Sequence, residues 1–145
     1  MLILLIAGAA ISFLLWCSGL HFPIWNAQGR LQRHLTDDLG VSLPPGTKVT
    51  RAIRVATLDP GEYYAVEIPQ ASVTPFIAAV RAAGRHPQDR DPSGHWYMDR
   101  LPDWWLPQNI PQVQRLELSD REEKGGYTFY YSLSSSTLYV FWFRT

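Results

Sequence analysis

Residues that can ligate a metal ion crowd into one stretch of the chain: His86, Asp89, Asp91 and His95, with Asp99 and Asp103 a little further on. Imidazole nitrogens and carboxylate oxygens are donors that zinc or another divalent ion accepts. A metal-assisted hydrolase of the cell envelope is the activity that His86, Asp89, Asp91 and His95 would serve. Their spacing matches neither H-E-x-x-H nor a calcium loop, however, and a solvated loop is made of the same side chains. No metal or other cofactor is therefore expected.

The same stretch carries a second kind of chemistry. Trp96, Tyr97, Trp104 and Trp105, with Arg90 and Arg100 among them, are residue types that dominate protein interface hot spots. Trp104 and Trp105 are adjacent, so on an extended segment one ring faces inward and the other is left at the surface. Nucleophilic catalysis has less to stand on. There is no G-x-S-x-G, the serines fall at turns and caps, and Ser93-Gly94-His95 has no acid positioned behind it. Gly125-Gly126 alone is a turn and not a phosphate-cradling loop.

These residues belong to segment 85–111, RHPQDRDPSGHWYMDRLPDWWLPQNIP, in which helical and strand periodicity both dissolve. Long loops inside compact domains are uncommon and usually functional or disordered. Its tryptophans are costly to leave in water, so the expectation is an ordered flap over a sheet.

The elements that must position this flap are legible on both sides of it. Positions 2–20, LILLIAGAAISFLLWCSGL, hold no charge and only small polar residues. As a helix they would extend roughly 28 Å, about the thickness of a bilayer's hydrocarbon core. Trp16, His21, Phe22 and Trp25 suit a headgroup region, and Pro23 ends the helix. With neither a basic start nor a small-x-small cleavage site, the run reads as a single-pass membrane anchor over 1–25 and not as a cleaved signal. The first charges, Arg30 and Arg33, are followed at once by Asp37 and Asp38, which leaves the side of the membrane open.

Beyond the anchor, 26–43 reads as an amphipathic linker helix with Leu31, Leu35 and Leu39 on one stripe and Gly40 as its stop. The domain proper is expected over 44–145. Strands are expected at 47–57, with Val49, Ile53 and Val55 on one side, and at 62–68, with Tyr64, Val66 and Ile68 on one side. Ser72 is the expected N-cap of a helix whose Val73, Phe76, Ile77 and Val80 face the core. Further strands are expected at 113–118, 127–133 and 137–144, the last nearly all apolar and so buried on both faces. The fold class is α+β: a mostly antiparallel sheet of about five strands with one or two packed helices.

Composition closes off other classes. The chain has 13 Lys+Arg and 13 Asp+Glu, a net charge of +0, and no basic stripe to track phosphates, which argues against nucleic acid. Its single cysteine lies inside the apolar run, so no internal disulfide forms. The expected function is a membrane-anchored, non-enzymatic interaction module, an accessory or inhibitory subunit binding a protein partner through Arg90, Trp96, Tyr97, Arg100, Trp104 and Trp105. The envelope hydrolase and a purely structural bitopic subunit stand as the alternatives.

Overall fold

A computed structural model describes residues 20–56, 61–92 and 101–144. The run 2–19, on which most of the expected anchor falls, lies outside them. Seven strands form one antiparallel sheet in the order β1-β2-β3-β7-β6-β5-β4. They are β1 (Leu20–Pro23), β2 (Lys48–Ala56), β3 (Gly61–Glu67), β4 (Arg85–Arg90), β5 (Gln114–Ser119), β6 (Gly125–Tyr131) and β7 (Thr137–Arg144). Helices α1 (Ala27–His34), continued by a π-helical turn (Leu35–Leu39), and α2 (Gln70–Ala83) supply the helical half of the α+β fold.

The main core lies on one face of the sheet. Tyr64, Val66, Phe129, Leu138 and Val140 from the strands meet Val73, Phe76, Ile77 and Val80 of α2, all buried. The expected apolar face of α2 is thus the one that packs. Its start is earlier than expected, because Pro69 and not Ser72 takes the cap position, and Pro75 falls inside the helix. Leu31, Leu35 and Leu39 join the same core, each fully buried. The helix set apart as a linker therefore shares the domain's core. Four residues of α-helix turn about 400°, so a stripe at four-residue spacing drifts sideways by about 40° per step. The wider π turn over the second step takes back that drift and keeps the three leucines in line.

The other face is covered by the segment that follows residue 100. Trp105, 3% exposed, fits among Tyr63, Tyr130 and Val55, with Ile53, Leu101, Tyr139 and Phe141 around them. β7 is central, as its composition suggests, but its two faces differ. Leu138, Val140 and Trp142 are buried under the helices, whereas Tyr139, Phe141 and Phe143 are only partly covered.

Three local expectations are corrected. A β-bulge at Thr50 shifts the register between Val49 and Arg51, so Val49 faces the helices while Ile53 and Val55 face the Trp105 side. Residues 85–90, expected as the start of a loop, form the edge strand β4 against β5. Their side chains are all exposed, so no hydrophobic alternation could announce the strand. Finally, Leu20–Pro23, placed at the end of the anchor, is a strand paired with Ala56–Ile53 of β2. The sheet therefore has seven strands, not about five, and the two additional ones, β1 and β4, are its edges.

Candidate functional site

A row of residues crosses the helix side of the sheet near one end. Phe22 is opposite Arg54, Arg54 opposite Glu62, Glu62 opposite Trp142, and Trp142 opposite Tyr127. Residues paired across an antiparallel ladder share a face, and α1 with its π turn lies over this row. Arg30, His34 and Asp38, spaced four apart like the leucines and one residue ahead of each, come down on it.

Glu62 is completely buried, and a buried carboxylate is tolerable only if it is paired and hydrogen-bonded. Arg30 Nε donates to Oε1 at 2.8 Å and to Oε2 at 2.9 Å, and Arg30 Nη2 lies 2.6 Å from Oε1. His34 Nε2 stands 2.9 Å from Oε2, to which the Tyr64 hydroxyl also donates. Burial pushes the Glu62 carboxyl's pKa up, but the hydrogen bonds from His34, Arg30 and Tyr64 outweigh it and hold the group at about 2. The carboxylate is thus a fixed anion, so His34 Nε2 is the donor toward it. The His34 ring stacks on Trp142 at 3.9 Å between centroids. Next along, Asp38 Oδ2 accepts from Tyr127 Oη at 2.8 Å and Trp142 Nε1 at 2.9 Å. Burial, and then the hydrogen bond to Asp38, drive the Tyr127 hydroxyl's pKa far up, keeping it protonated as a donor.

Above this floor opens a cleft of about 660 Å³ between α1 and the β5–β6 turn. Its walls are charged: Arg33 and Asp37 on the helical side, Arg121 and Glu122 on the turn, and Arg144 at the end of β7. A histidine held by a carboxylate is half of a general-base arrangement. Among the described residues, however, no serine, threonine or cysteine lines the cleft, and Glu62 is already saturated. The arrangement can hold charges and orient a polar ligand.

The residues expected to bind a partner or a metal are dispersed. His95, Trp96, Tyr97 and Arg100 lie outside the described residues. Arg90 is on the exposed edge strand, 3.2 Å from Glu117. Trp105 makes edge-on contacts with Tyr63 at 4.8 Å and Tyr139 at 5.1 Å; as a core residue it drops out of the candidate interface. Trp104 is only partly buried and lines an open groove of about 510 Å³ with Arg51, Ile53, Leu101 and Asp103. His86 turns toward Glu123 at 3.4 Å, while Asp89 is 2.6 Å from Arg81, and the carbonyl of Asp91 accepts from Arg115. The described members of that set are thus engaged separately, and among the described residues no group of three or more His, Cys, Asp or Glu side chains is placed to hold a metal.

The Glu62 cluster is what sequence reasoning missed. Its signals were Glu62 at the start of a strand otherwise without charge until Glu67, and the four-residue period of Arg30, His34 and Asp38. No protein-family model matches the chain, and neither a curated protein nor a solved structure matches it.

Proposed function

We propose that this protein is a membrane-anchored, non-enzymatic interaction module, an accessory or inhibitory subunit whose partner contacts the face of the sheet where Trp104 stands. The observation that carries this reading is the unequal burial of two neighbouring tryptophans that pack against one cluster. Trp105 roots the covering segment in the core, and Trp104 beside it borders a groove with cationic Arg51, apolar Ile53 and Leu101, and anionic Asp103. An aromatic ring on a rigid support beside a groove of mixed polarity is how hot spots are built. The anchor is supported by the uncharged run 2–20 and by Phe22 just beyond it, which is 46% exposed. A large apolar ring left open beside such a run suits a headgroup layer. Among the described residues no helix is long and apolar enough to cross a membrane.

The test uses the full chain, tagged at its C-terminus, in native membranes. Carbonate washing should leave it in the membrane pellet, and its co-purifying partner should be lost on Trp104→Ala and on Arg51→Glu but kept on Arg90→Ala. An unchanged partner in the first two variants overturns the groove; release into the carbonate wash overturns the anchor.

A further inference from the structure

The charged cleft opens at the end of the sheet where the apolar run enters. Leu20 is opposite Ala56; one step inward, Val55 is opposite Gly61 and Gly61 opposite Phe143; and Arg144, next after Phe143, is opposite Gly125. The first residue of β1, the last described residue of β7 and the β5–β6 turn therefore share one end. Most charges lining the cleft are engaged within the domain. Arg30 serves Glu62, Asp38 takes Tyr127 and Trp142, Asp120 Oδ1 accepts from the turn amides of Glu122 and Lys124, and Glu122 pairs with Lys124 at 2.6 Å. Arg33, Arg121 and Arg144 form no ion pair among the described residues, although Arg144 helps hold the Glu122 carboxyl low.

Three guanidiniums facing one cavity repel one another, and each presents a fork that matches the oxygens of a phosphate. We propose that this cleft binds a phosphodiester, supplied as the headgroup of a membrane phospholipid. The diester follows from the charge balance: Asp37, Asp38, Asp120 and Glu122 line the same cavity and disfavour the second negative charge of a monoester. The lipid source rests on the membrane-anchored reading above; the phosphate site does not. The volume of about 660 Å³ leaves room for the headgroup beyond the phosphate itself.

Calorimetric titration of the full chain in a non-ionic detergent tests both parts with three probes: dihexanoyl phosphatidylglycerol, the chain-free diester glycerophosphoglycerol, and phosphate-free dihexanoylglycerol. Both phosphate-bearing probes should bind saturably, the lipid more tightly, and dihexanoylglycerol should not. Arg33→Ala with Arg121→Ala should weaken both by about tenfold or more, and Arg144→Gln, a smaller change, should weaken both with the melting temperature preserved. No saturable binding of either phosphate probe, or affinity unchanged in the folded variants, overturns the site. Glycerophosphoglycerol binding as tightly as the lipid upholds the phosphate site and overturns its lipid source. Since that arm needs no membrane, failure of the anchor in carbonate washing leaves its outcome intact.

Discussion

Replacing Glu62 by glutamine separates the charge of this buried group from its shape. The carboxyl is held at about 2 against an ordinary 4.5. At about 1.4 kcal/mol per tenfold change in acidity, this corresponds to about 3 kcal/mol of folding free energy. A carboxyl that is more acidic in the folded state stabilises the fold fully above its unfolded pKa, and loses that contribution as pH falls from about 5 toward 2. Breaking one side of a buried pair can cost about 3–5 kcal/mol, because the remaining charge is stranded. Here the Arg30 side chain is 32% exposed and can turn to water, so the cost at pH 7 should lie near the lower figure. Urea denaturation followed by near-ultraviolet circular dichroism, repeated between pH 7 and pH 2, measures it. Other carboxyls titrate in the same window, but they titrate in both proteins, so the difference between the two curves isolates Glu62. That difference should be about 3 kcal/mol at neutral pH and close to zero near pH 2. Parallel curves, or a neutral-pH cost below about 1 kcal/mol, would refute the claim that Glu62 is an ionised anchor for α1.

Further substitutions probe the packing around the two surfaces. Trp105→Ala should destabilise the domain by about 3–5 kcal/mol, and Trp104→Ala, at a partly exposed ring, by only about 1 kcal/mol; comparable losses in urea unfolding would contradict the inward and outward assignment. Leu35→Ala should cost about 2–5 kcal/mol, since this fully buried side chain belongs to the main core; a loss below about 1 kcal/mol would mean the π turn is peripheral. Gly40 has φ 70° and a Cβ there would come 2.7 Å from Arg121 Nη2. Gly40→Ala should therefore lower stability by about 1–2 kcal/mol, and an unchanged melting temperature would show that this turn relaxes freely.

What could be read from the sequence, and what could not, divides along the range of the interactions. The apolar face of α2 and the β2–β3 pairing are local: Val73, Phe76, Ile77 and Val80 repeat within one helix, and only four positions of sequence separate the two strands. The bulge at Thr50 is not legible, because β2 carries apolar residues toward both cores and either phase of alternation fits. β4 has no apolar residue other than Pro87, and its extended form depends on hydrogen bonds lent by β5. The Trp104 and Trp105 pair lies in a turn closed by the Trp105 N–H donating to the Pro102 carbonyl and not on an extended segment, so both rings pack on the core around Tyr63, Trp105 fully and Trp104 in part. Glu62 meets Arg30 and His34 across a separation of about thirty residues, so no window of sequence shows the cluster whole. An ionised residue in a buried strand position is nevertheless a conflict between local pattern and global fold, and such conflicts concentrate where a structure has more than stability to serve.

If the chain is anchored as proposed, the two surfaces also differ in height above the membrane, which constrains what can occupy the groove. On the anchored reading the sheet meets the bilayer at the end marked by Leu20 and Ala56. Arg51, on the groove wall, is five residues further along β2, or about 16 Å at roughly 3.3 Å per residue. The cleft, by contrast, reaches that end through Arg144. Phosphate groups of the bilayer can thus meet Arg33, Arg121 and Arg144, whereas a partner reaching Trp104 does so with an extramembrane segment and not with a transmembrane helix. A photoreactive residue substituted at Ile53 should accordingly cross-link to a soluble portion of the partner, in peptides separated from any apolar span. Cross-links confined to a membrane-spanning helix would contradict this orientation, because such a helix ends below the groove.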